Sequence, residues 1–175
     1  MPAARVERDG VTAWDFLLDG RLRFDLRVTV ILSPGLGLIV WLPYAQPVQD
    51  GYRRTYQQLL QWNDELPFVK FGLDPDQRLT LAVEIPADAA SGRALGLAIA
   101  RILAVCDHLL PASARWLWPD GVARVRDPAR TSRGESLLRR YDAELAELLP
   151  APATLGPGGT GGGQEPPDQL EAGGS

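Results

Sequence analysis

Hydrophobic positions along this chain follow two rhythms. From Arg21 to Leu32, "RLRFDLRVTVIL" sets Leu22, Phe24, Leu26, Val28, Val30 and Leu32 on one side and Arg23, Asp25, Arg27 and Thr29 on the other. A period of two over that length predicts a half-buried antiparallel strand. "TAWDFLL" (Thr12–Leu18) predicts a strand before it, closed at Asp19-Gly20. "LGLIVWLPY" predicts one after it, entered through a turn at Ser33–Gly37 and ending at Pro43. Short turns make these three a meander. Ile31, Ile39 and Trp41 are apolar on the otherwise polar face, so that face is expected to be partly covered.

The rhythm changes at Tyr52. Tyr52, Tyr56, Leu59, Asn63 and Leu66 recur at helical spacing, flanked by Leu60 and Trp62, until Pro67 ends the helix. "FVKFGLD" and "RLTLAVEIP" return to alternation as two strands joined by a short turn. A second helix, Ser91 to Leu110, aligns Leu95, Ile99, Ile102, Leu103, Cys106 and Leu109. Beyond Pro111 come Trp116 and Trp118, then a polar, Arg-rich linker to about Gly134. An amphipathic helix over 135–149 would turn Leu137, Leu138, Tyr141, Leu145 and Leu148 inward. This order predicts an α+β fold, a single antiparallel five-stranded sheet packed by helices, β-β-β-α-β-β-α plus a C-terminal helix. Residues 1–118 read as one domain and 119–150 as linker and helix. Residues 151–175, rich in Gly and Pro, are expected to form a disordered tail. The tail's "GPGGTGGG" lacks the lysine and the preceding strand of a phosphate loop.

Composition narrows the function. With 175 residues, 45% hydrophobic and 23% charged, the chain can bury one real core. A net charge of -4 carries no electrostatic footprint for nucleic acid. One cysteine excludes an intramolecular disulfide framework and fits a reducing compartment. "MPAARVERDG" lacks the apolar core of a signal peptide, and no apolar run is long enough for a bilayer. A cytoplasmic protein that uses neither membrane nor nucleic acid is expected.

The candidate chemistry is sparse. His108 is the sole histidine; Cys106, two residues earlier on a helix, points elsewhere, so the two cannot act as nucleophile and base. His108 is expected at the surface near Arg101, and Cys106 in the core. One histidine and one cysteine cannot build the usual zinc sets. "DPDQR" (Asp74–Arg78) lacks the glycine and distal glutamate of a calcium loop and reads as a hairpin turn. Gly35 and Gly37 lie between strands, where no dinucleotide fingerprint forms. Asp64 and Glu65, at a helix end, are expected in water. No catalytic residue, metal or cofactor is expected, and the chain reads as a non-enzyme.

One stretch stands apart. "QWNDELPFVKFGLD" (Gln61–Asp74) holds the only asparagine and the only lysine of the chain. Asn63 either fixes packing register inside an apolar stripe or caps the helix end against backbone near Pro67. Lys70 reads as a solvated edge charge that resists accidental pairing. The longer run "LLQWNDELPFVKFGLDPDQRLTLAVEIP", with its Asn-x-x-Leu helix end, Val-Lys-Phe and acidic hairpin, resembles the YbjN family of bacterial proteins over roughly Thr12 to Leu110. That family shares the fold of class I type III secretion chaperones, the Tir-chaperone group. Its usual N-terminal helix has only "MPAARVERDGV" to draw on here, and the C-terminal helix is a candidate substitute.

The resemblance implies a protein-binding, chaperone-like domain with a homodimer surface and apolar patches that hold a partner's extended segment, with a possible role in stress-related regulation. Tyr52, Tyr56, Leu59, Trp62 and Asn63 are the expected partner or dimer contacts, with Trp116 and Trp118 secondary. The competing readings are a small-ligand binder or enzyme with a pocket between sheet and helices, and a structural or immunity-type module with one dedicated partner.

Overall fold

Alternating side chains build one six-stranded, wholly antiparallel sheet in the order β1-β2-β3-β4-β6-β5. The computed structural model describes residues 4–8, 11–47, 52–117 and 130–149. The strands are β1 (Ala4–Arg8), β2 (Val11–Leu18), β3 (Leu26–Ser33), β4 (Gly37–Ala45), β5 (Lys70–Leu73) and β6 (Leu79–Ile85). The five expected strands all form within the expected α+β architecture. A sixth, β1, occupies the place where the resemblance led one to look for a helix, and it extends the sheet beyond β2. The expected tail at 151–175 and most of the linker lie outside the described residues.

Two strands start later than their alternation suggests, for backbone reasons. β3 begins at Leu26 because Asp25 takes a left-handed conformation, φ 56°, and the loop before it is held by side chains. β5 begins at Lys70 because Phe68, at φ 67°, turns the chain out of the preceding helix.

The helices are α1 (Tyr52–Glu65), α2 (Gly92–His108), α3 (Leu110–Leu117), α4 (Glu135–Arg140) and α5 (Asp142–Leu148). Ser91 caps α2 by accepting the Ala94 amide at 3.1 Å. Pro111 falls in the first turn of α3, where its missing amide costs nothing. One core unites the sheet residues Val28, Val30, Val40, Leu42, Leu81 and Val83 with Leu59 and Trp62 of α1, Ile102 and Leu103 of α2, and Leu138 and Leu145 of the C-terminal helices. α2 touches β4 and β6 on one side and α4 and α5 on the other. This explains why Ala98, Ala100, Ile102, Leu103, Ala104, Val105 and Cys106 are all buried around its circumference.

The helix expected over 135–149 breaks in two at Tyr141. The break lets the buried Tyr141 lie against α2, its hydroxyl donating to the Arg93 carbonyl at 3.1 Å. Gly96 makes room for it: a Cβ there would stand 2.6 Å from the Tyr141 hydroxyl.

Candidate functional site

Register assigns every strand residue to a face. Val30, Val40 and Val83 pair across neighbouring strands on the core side. The intervening residues form the other side, where Ala13 pairs with Ile31, Ile31 with Ile39, and Trp41 with Ala82. Ile31, Ile39 and Trp41 are half-buried yet do not belong to the core cluster. They form an apolar strip, with Leu17 47% exposed beside it. Polar groups frame the strip: Thr29 donates to Asp15 at 2.6 Å, and Arg27, Glu84 and Lys70 are exposed. The cover expected for this face is not supplied by any described helix, because all five join the core-side layer or stack on it. An apolar strip rimmed by polar residues on an open sheet is the usual appearance of an interaction surface.

The α1 residues singled out from the sequence divide. Leu59 and Trp62 are buried in the chain's own core, Trp62 with its ring centroid 5.5 Å from that of Phe71. Such packing is worth about 0.5–1.5 kcal/mol beyond area burial. These two side chains face the sheet and leave no surface for another molecule. Tyr56 is half-buried against the core, Leu60 is 68% exposed, and the Tyr52 side chain lies outside the described residues.

Asn63 does not cap against backbone near Pro67, as one expectation had it, but reaches on to β5. Its Oδ1 accepts the Phe71 amide at 2.6 Å and its Nδ2 donates to the Phe71 carbonyl at 3.1 Å. A single side chain thus occupies the outward donor and acceptor of Phe71 in the edge strand β5, as a neighbouring strand would. Lys70 is exposed, but it is not merely solvated. Its ammonium donates to the carbonyls of Asn63 and Leu66, which supplies positive charge to a helix end that has no basic residue in its last turn.

Trp116 falls in α3 with its side chain outside the described residues, and Trp118 lies outside them altogether. Cys106 is fully buried, and burial pushes its thiol up to about 12, so no thiolate forms near neutrality. His108 is half-buried, not the exposed residue expected near Arg101, and lines a cavity of about 600 Å³ with Asp107, Leu22 and Leu145. Among the described residues, no group of three or more His, Cys, Asp or Glu is placed to hold a metal, and no helix is long and apolar enough to cross a membrane.

Sequence reading missed the polar hub at the β2–β3 loop. Asp107 accepts the amides of Arg21, Leu22 (3.0 Å) and Arg23 (2.8 Å). Gly20 allows this approach, since a Cβ there would come 2.4 Å from the carboxylate. Burial outweighs those donors and holds the Asp107 carboxyl above the usual carboxylate range. Asp19, 0% exposed, accepts from Arg133 Nε and Nη2, each at 2.7 Å, from the Arg133 amide at 3.0 Å and from the Asp25 amide at 2.8 Å. Burial alone would raise the Asp19 carboxyl, but the hydrogen bonds from Arg133 and the Asp25 amide bring it below its ordinary value. Asp25 is lowered to about 2, chiefly by its hydrogen bond from Arg130. Arg130 and Arg133, read as linker, therefore clasp the C-terminal segment to the loop.

Residues 7–114 match the model of the YbjN family, whose description reads "Putative bacterial sensory transduction regulator". No curated protein matches the sequence.

Proposed function

The chain belongs to the YbjN family, and from that premise we propose that it is a non-enzymatic regulatory domain that binds a partner polypeptide in a chaperone-like manner. The observation that carries this reading is the open sheet face, with Ile31, Ile39 and Trp41 aligned across β3 and β4 and no described helix over them. The occupant proposed is an extended partner segment whose apolar side chains lie along that strip and whose charges meet Arg27 and Glu84 on its rim. Strand addition at β5 is disfavoured because Asn63 already fills Phe71's outer hydrogen bonds. Pairing of two copies through α1, with Tyr56 and the exposed Leu60 at the contact, belongs to the same proposal.

Affinity capture from the source cell with the full chain tests this reading. An equimolar protein retained by wild type and by Leu60→Asp, but absent from folded Trp41→Glu, is the expected result. Equal retention by Trp41→Glu would remove the sheet face from the proposal. Sedimentation of Leu60→Asp against wild type tests the pairing, and identical masses would end that part.

A further inference from the structure

A second cavity, of about 510 Å³, opens where β3 begins and β4 ends. Its size falls within the range of small-molecule sites. Arg23, Arg27 and Arg78 line it, with Asp25 as the one carboxylate among the described lining residues. Asp25 is already engaged by Arg130 at 2.6 and 2.9 Å and by Arg133 at 2.6 Å, so its charge is answered outside the cavity. Arg78 is pinned by Asp74 at 2.7 Å and Asp76 at 2.9 Å.

Arg23 and Arg27 differ from it. Among the described residues neither has a carboxylate within ion-pair distance. The Arg23 guanidinium lies 4.6 Å over the Tyr44 ring and donates to the Tyr44 carbonyl, while its Nη1 is turned away from water on the side of the Cys106 thiol. A partly buried cation without a counter-charge is costly to hold. Here it lines the same cavity as Arg27, in a chain whose net charge is -4.

We propose that this cavity binds a small phosphate-bearing molecule, with Arg27 and Arg23 supplying the positive charge. Guanidinium matches phosphate oxygens with paired N–H donors, which the exposed Arg27 offers, while Arg23, its Nη atoms engaged or buried, adds positive charge from the cavity wall. Pro43, Ala45 and Leu117 form an apolar wall for the remainder of the ligand. Arg27 also stands on the rim of the Ile39 and Trp41 strip, but titration of the full chain alone with small molecules reads the cavity with no partner bound.

The test is calorimetric titration of the full chain with inorganic phosphate and with glycerol 3-phosphate, at ionic strength held constant with chloride. Saturable binding of one equivalent is expected, weakened about tenfold or more in Arg27→Gln, the loss of one charge-assisted contact. Arg27 is exposed, so that variant keeps the fold. Arg54→Gln, on the outside of α1, should bind as wild type. Tighter binding of the ester than of inorganic phosphate would place the apolar wall in the site; equal binding would confine recognition to the phosphate group. No saturable heat with either probe, or equal affinity in Arg27→Gln, would overturn the proposal.

Discussion

The α1–β5 junction and the β2–β3 loop both fix irregular backbone with side-chain hydrogen bonds, over very different lengths of chain. Asn63 reaches Phe71 eight residues away, and Lys70 returns to the Asn63 carbonyl seven residues back. Asp19 instead meets Arg133 across 114 positions, and Asp107 meets the Arg23 amide across 84. A contact over eight residues closes a small loop and can form as soon as helix and strand meet. One over a hundred residues gains its value only once the core between its partners has assembled. The junction accordingly governs one edge of the sheet, while the clasp joins the C-terminal helices to the opposite end of the chain.

That difference predicts unequal costs. Arg133→Ala removes three guanidinium hydrogen bonds and leaves the buried Asp19 with fewer partners. A loss of about 3 kcal/mol is expected, the low end for breaking a buried ion pair, because the arginine itself is a third exposed. The urea midpoint measures it. A cost no larger than that of the local device below would break the comparison.

Acid sharpens the same point. Asp19 and Asp25 have folded-state pKa values below their ordinary one, Asp25 at about 2. A group whose pKa falls on folding contributes in full above its unfolded value, about 3.9, and loses that contribution as pH drops through the folded value. Stability should hold down to about pH 4 and decline from there towards about pH 2. The decline should be shallower in Arg133→Ala, followed by tryptophan fluorescence. An unchanged acid profile in that variant would show that the pair does not act together.

What could be read from the chain follows the same division. Alternation from Leu26 to Leu32 and the helical spacing of α2 are local, and both survive in the fold. Leu22 and Phe24 continue the alternation, yet they belong to a loop, because Asp107 takes three consecutive amides there. No period along the chain encodes that partner. Arg130 and Arg133 looked like linker residues because their acids lie more than a hundred positions away. Leu59 and Trp62 fell on the right stripe, but a stripe does not say whether it faces the chain's own sheet or another molecule. The strip of Ile31, Ile39 and Trp41 was visible as a breach of alternation; that no described helix covers it required the topology.

Asn63 gives the smallest expected effect and the most specific one. Its oddity was plain from composition, but its partner is backbone, and backbone leaves no mark in a sequence. Asn63→Ala deletes both part-buried hydrogen bonds to Phe71, and a loss of about 1–2 kcal/mol is expected. The change should be local. Hydrogen exchange at the Phe71 amide should quicken markedly, while that of Val40 and Val83, in the sheet centre, should quicken only by the global loss of stability. The freed edge should also self-associate more readily at high concentration, since an unpaired strand invites another. Unaltered exchange at Phe71 in the variant would mean that α1 shields the edge by packing alone, and the contrast between a local hydrogen-bond device and a long-range clasp would fall.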